Sequence, residues 1–275
     1  MFNQLEKANR ALLLCAALGL TAAPVLGQPE TDEQMRPVPR HEDGRVNFGP
    51  PPGESGTWSR RTSTLAVNPD YYRPQSTLDS PIHIDDVPIQ AWALALTNYR
   101  NDIFLASEPY TRCKPSGGPR QFMSPYGLEI VDIPDLERVF IFNISNAMSY
   151  RTVFMDGRDH PENLRPSYMG HSVGHWEGDT LVIDTVGMNE RTWMNRDGLP
   201  HTDQLHLVER LNRVSFDTLE YEVTIDDPGA YTAPWTSGYT LGWGEGEEMF
   251  EYICQENNLS PESMLGEGGK SRIIP

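Results

Sequence analysis

The stretch "GHSVGHWEGDTLVIDT", Gly170 to Thr185, alternates apolar and polar residues on both sides of a short glycine-containing link. A period of two marks a half-buried strand, and two such runs joined by a tight glycine link mark a β-hairpin. With Glu177-Gly178 as the link, Trp176 faces Asp179, Val173 faces Val182 and His171 faces Asp184. Ser172, Gly174 and Trp176 then meet Leu181, Ile183 and Thr185 on the better packed face. The other face sets an imidazole opposite a carboxylate, with Cβ atoms ~5 Å apart. A carboxylate in that position fixes the tautomer of the ring and raises its basicity, as a general base requires. The same pair also reads as a structural contact at a sheet edge. His171 and His175 share a face but stand ~13 Å apart along the strand, too far to bind one metal.

Working outward, apolar alternation recurs around 128–133, 138–144, 150–155, 180–188, 205–214, 219–225, 236–243 and 249–254. With the 171–176 run this makes about nine short strands, which predicts a mainly β chain: an antiparallel barrel of lipocalin-like or similar meander type, with a sandwich as the alternative. Before the strands, "VPIQAWALALTNYRNDIF" predicts one amphipathic helix over 88–103, with Trp92, Ala95, Leu96, Tyr99 and Ile103 on its packed face. No fixed-period repeat is present, which argues against a propeller.

A second hairpin places another polar group in an apolar setting. In "LHLVERLNRVSFDTLEYEVTIDD" a three-residue link, Ser215 to Asp217, puts Glu209 on the face shared by Leu207, Leu211, Tyr221, Val223 and Ile225. The opposite face pairs Arg210 with Glu222 and His206 with Asp226, a pattern expected of solvent. A carboxylate aimed into an apolar interior needs a cation to answer its charge. Arg151, on a face with Val153 and Met155, is the candidate, and a purely structural Arg–Glu pair is the competing reading. The candidate catalytic set is therefore His171, Asp184, Glu209 and Arg151. His201, Trp176 and Tyr221 are assigned to substrate. His160, in "MDGRDHP", reads as a lone loop histidine.

Residues 1–27 have the order of a signal peptide: Lys7 and Arg10, an apolar stretch from Ala11 to Leu20, then Val25-Leu-Gly27 as a cleavage site. This predicts a periplasmic or secreted chain with no integral membrane segment after processing, since the apolar run is too short to span a bilayer. Residues 28–81, rich in proline and glycine, read as an extended or disordered arm. A single β-rich domain over 82–260 and a flexible tail over 261–275 follow. Two cysteines outside the leader, Cys113 and Cys254, predict one disulfide contributing on the order of 4 kcal/mol. The net charge of −17 excludes nucleic acid or an anionic membrane as the main partner. No P-loop, nucleophile elbow, dinucleotide-binding glycine pattern or H-E-x-x-H motif is present. No metal or other cofactor is expected.

"RCKPSGGPR", "MDGRDHP", "GHSVGHWEGDTLVIDTVG", "PHTDQLHLVER" and "TIDDPGAYTAPW" together resemble a large family of secreted bacterial proteins of uncharacterised function, common among proteobacteria and acidobacteria. The resemblance spans roughly residues 91 to 256 and implies a secreted, β-rich protein, without implying an activity. His175 stands where that pattern has arginine, which makes it a poor catalytic candidate. Three readings of function follow from the residues. The first is an acid–base enzyme of lyase, isomerase or hydrolase type acting on a small, apolar or aromatic molecule. The second is a carrier enclosing such a molecule in the barrel, and the third is a structural or surface-interaction protein using the arm.

Overall fold

Alternating residues along the chain close into a barrel of nine strands in the computed structural model, which describes residues 36–60, 65–67, 82–103, 105–124, 126–144, 149–256 and 258–259. The expected signal peptide and C-terminal tail lie outside these residues. The barrel strands are β1 (Gly56–Arg60), β4 (Leu128–Ile133), β5 (Arg138–Asn143), β6 (Tyr150–Phe154), β7 (His171–Glu177), β8 (Thr180–Val186), β9 (His206–Arg213), β10 (Thr218–Asp226) and β11 (Trp235–Glu245). Two short strands, β2 (Ala66–Val67) and β3 (Ile82–His83), pair in parallel apart from the barrel. From β4 to β11 each strand neighbours the next in sequence, and β1 sits between β11 and β4. Every barrel pairing is antiparallel except β6–β7. A parallel pair cannot be joined by a tight turn, so the chain from Met155 to Gly170 must cross back along the barrel before β7 begins.

Inward residues form one core that includes Leu128, Ile141, Val153, Leu181, Leu211 and Val223, all essentially fully buried. The interior is filled further by α2 (Pro119–Phe122), whose four residues are all buried. Gly118 opens this turn at φ 53° beside Leu207, where a Cβ would lie 2.8 Å from Cδ1, so only glycine fits. The Gln121 side chain donates to the Ile141 carbonyl, and the Tyr239 hydroxyl donates to that of Pro119. Phe122 lies 4.4 Å from the Tyr221 ring. Among the described residues, no helix is long and apolar enough to cross a membrane.

Several expectations require correction. Part of the arm is folded: Val46, Phe48 and Trp58 are buried, and the Arg213 guanidinium donates to the carbonyls of Asn47 and Gly49. Leu65, further along the arm, is fully buried as well. The barrel therefore begins at β1, ahead of residue 82. Residues 249–254, expected as a strand, form none, because β1 occupies the edge of β11 they would need. The helix α1 runs Ala91–Asp102 and buries Ala93 and Thr97, while Trp92 and Tyr99 are 45% and 58% exposed. Its contact side is small and polar because Arg100 and Asn101 reach the carbonyls of Gly198 and Asp197. Cys113 and Cys254 are at disulfide distance, with Cα atoms 5.6 Å apart, as expected.

Candidate functional site

The first hairpin keeps its faces but not its partners. Glu177 pairs with Thr180, so the link is Gly178-Asp179, with Gly178 at φ 61°. Glycine at the first central position with only that residue at positive φ is a type II′ turn, which matches strand twist. His171 consequently faces Val186, and Asp184 faces Val173. The direct His171–Asp184 pair expected from the sequence does not form.

A bridged version forms instead. The crossover between β6 and β7 carries "MDGRDHP" over the outer face of the hairpin and lays His160 between the two residues. Its Nδ1 lies 2.8 Å from His171 Nδ1, and its Nε2 lies 3.0 Å from an Asp184 oxygen. From β9, His206 Nε2 reaches both Asp184 oxygens at 2.9 Å. The segments "MDGRDHP", "GHSVGHWEGDTLVIDT" and "PHTDQLHLVER" thus each deliver a member of one cluster.

The hydrogen bonds determine the protons. An ionised Asp184 only accepts, so His206 and His160 each donate through Nε2. With His160 neutral, its Nδ1 is an acceptor and His171 donates to it through Nδ1. The Nε2 of His171 then carries a lone pair and makes no hydrogen bond among the described residues. Burial pushes the Asp184 carboxyl up, but donation from His206 and His160 outweighs it and holds the group below its ordinary value. The bond to Asp184 raises His206. Burial, then the nearby charges of His160 and Arg158, lowers His171. The His171 ring stacks on Phe154, with centroids 5.0 Å apart.

Glu209 and Arg151 meet as expected, because the second hairpin has the expected register, with Val223 opposite Glu209. They meet elsewhere, on the inner side of the barrel wall. Glu209 accepts from both terminal nitrogens of Arg151, from the Tyr221 hydroxyl at 2.8 Å and from Thr185. The Thr185 hydroxyl lies 2.8 Å from that of Ser172. The two charged side chains are 1% and 0% exposed, so no solvent-borne molecule touches them. The four residues expected to share a site are divided between two faces of the sheet.

The expected substrate residues are also dispersed. His201 is buried, with Nε2 on Thr192 and Nδ1 on the Thr202 carbonyl, and desolvation lowers its pKa. Trp176 stacks on Phe48 of the arm, and Tyr221 belongs to the inner ion pair. Sequence reasoning missed His160 and His206. Val186 pairs with both His171 and His206, a register that the long link between β8 and β9 does not disclose in the sequence. His160 had only one signal, a link too long for a hairpin. In comparison with known proteins, the chain matches no protein family, no curated protein and no solved structure.

Proposed function

We propose that the protein is an acid–base enzyme whose working base is Nε2 of His171. The observation that carries this reading is the His171–His160–Asp184 relay. When Nε2 takes a proton, the Nδ1 proton of His171 passes toward His160, and the resulting positive charge rests beside a carboxylate already ionised. His206 is the acid. It lies across Val186 from His171, two strand spacings or ~10 Å away between Cα atoms. Groups whose environments push their titrations apart divide the acid and base roles, and here His206 is raised while His171 is lowered. Among the described residues no serine or cysteine belongs to the cluster, which favours proton transfer of isomerase or lyase type over covalent hydrolysis. The carrier reading has less support, because the space a ligand would fill holds Phe122, Gln121 and Met123.

Site-resolved carbethoxylation tests the base, since the reagent attacks neutral imidazole. His175 is an internal standard: it is on the same strand face, its side chain is 62% exposed, and among the described residues it is paired only with Glu177. His171 is expected to react faster than His175 at about pH 6 despite being less exposed, and to slow in Asp184→Asn. Reaction no faster than that of His175 would sink the assignment.

A further inference from the structure

Resting on that acid–base reading, we infer that the site takes an aryl carboxylate, its anionic group held by Arg158 and Arg138 and its ring seated on the aromatic surface of β5 and β6. Around Phe154, the ring on which His171 stacks, the Arg158 guanidinium lies 4.1 Å and that of Arg138 4.6 Å from the centroid. Two cations share one acid there, Asp156. Asp156 engages Nε and Nη2 of Arg158 and Nη1 of Arg138. Nη1 of Arg158 and Nη2 of Arg138 make no hydrogen bond among the described residues. In a chain of net charge −17, two arginines sharing one acid beside a base are a specific feature. Each guanidinium keeps one nitrogen able to donate to a carboxylate, and charge of this sign attracts anions.

The register supplies the seat for the ring. On the outer face, Arg138 faces Phe154, Phe140 faces Thr152 and Phe142 faces Tyr150. Phe140, Phe142 and Tyr150 form one cluster with centroids 5.9–6.3 Å apart, and Tyr150 is 57% exposed. An aromatic body lying there extends from the arginines along the wall, where flat apolar contact and ring stacking hold it. The anion has a second consequence. Besides burial, the charge of Arg158 opposes protonation of His171. A bound carboxylate cancels part of that field, so the base strengthens as substrate arrives.

The test uses benzoate, benzamide and acetate as probes of the full-length protein, with binding followed by the His171 Cε1–H resonance. Benzoate is expected to bind saturably and to raise the His171 titration midpoint. Benzamide, lacking the charge, and acetate, lacking the ring, should each bind roughly tenfold or more weakly, the worth of one charge-assisted contact or one ring. Arg158→Gln, an exposed substitution that leaves the fold intact, should weaken benzoate by a similar factor and leave benzamide unchanged. Equal binding of benzoate and benzamide, no effect of Arg158→Gln, or no saturable benzoate binding overturns the inference. Carbethoxylation separates the two levels. If His171 still outreacts His175 when benzoate fails, the substrate class is wrong and the base stands. If His171 does not outreact it, the acid–base reading falls whatever benzoate does.

Discussion

Replacing Glu209 by leucine isolates the inner ion pair. The Arg151 side chain is 1% exposed, so without Glu209 its charge is buried with no counter-charge. Removing one partner of a buried pair costs about 3–5 kcal/mol. The hydroxyls of Tyr221 and Thr185 lose their acceptor as well, a further loss of about 1–3 kcal/mol that is not additive with the first. For a domain of this size each kcal/mol lowers Tm by ~2–4 °C, so the fall should be roughly 6–20 °C. The double variant Arg151→Met/Glu209→Leu should recover most of it, because a well-packed apolar replacement of a buried pair is often neutral. Urea unfolding followed by the fluorescence of the six tryptophans gives the free energies, and a double-mutant cycle gives the coupling. The reasoning is refuted if Glu209→Leu costs less than ~1 kcal/mol, or if the two single losses simply add.

Three further outcomes follow from the same structure. Reducing the bond between Cys113 and Cys254, which are separated by 141 positions, should lower stability by about 5 kcal/mol on a chain-entropy account, read as a shift in urea midpoint. Phe122→Ala empties the centre of the barrel at a residue 0% exposed and should cost about 3–5 kcal/mol by the same measurement. The His206–Asp184 contact should contribute within a pH window. Because His206 is raised above 6.5, its contribution is full below that value and fades as pH rises through the folded midpoint. Asp184 is lowered below 3.8, so its share is present above that value and fades as pH falls through the folded midpoint. His206→Asn should therefore cost most between about pH 4 and 6.5 and little at about pH 9, at most ~1 kcal/mol because both groups are partly exposed.

What the sequence disclosed depended on how tightly each link constrained its strands. The Ser215–Asp217 link admits one pairing, so the inward position of Glu209 and its meeting with Arg151 were legible. In "WEGDT" the glycine fits more than one turn, and choosing the wrong central pair moved every partner by two residues. Faces survived because two is the period of a strand, which is why His171 and Asp184 still share a surface. The crossover that delivers His160 was hidden because a parallel pairing inside an apparent meander has no signature in alternation. β1 was concealed by its company: Trp58 is fully buried, but the segment before it is mostly proline, glycine and charge. The packed face of α1 was misread because Ala93 and Thr97 allow close approach, a steric effect that a count of apolar side chains does not weigh.

The relay is the central claim, and long-range imidazole nitrogen NMR reads it directly. The account predicts His171 protonated on Nδ1 and His160 on Nε2 in the neutral state, with a His171 midpoint below 6.5 that moves in Asp184→Asn. His171 found as the Nε2–H tautomer, with a midpoint of about 6.5 that Asp184→Asn leaves unchanged, would contradict it, since that is the behaviour of a solvated histidine.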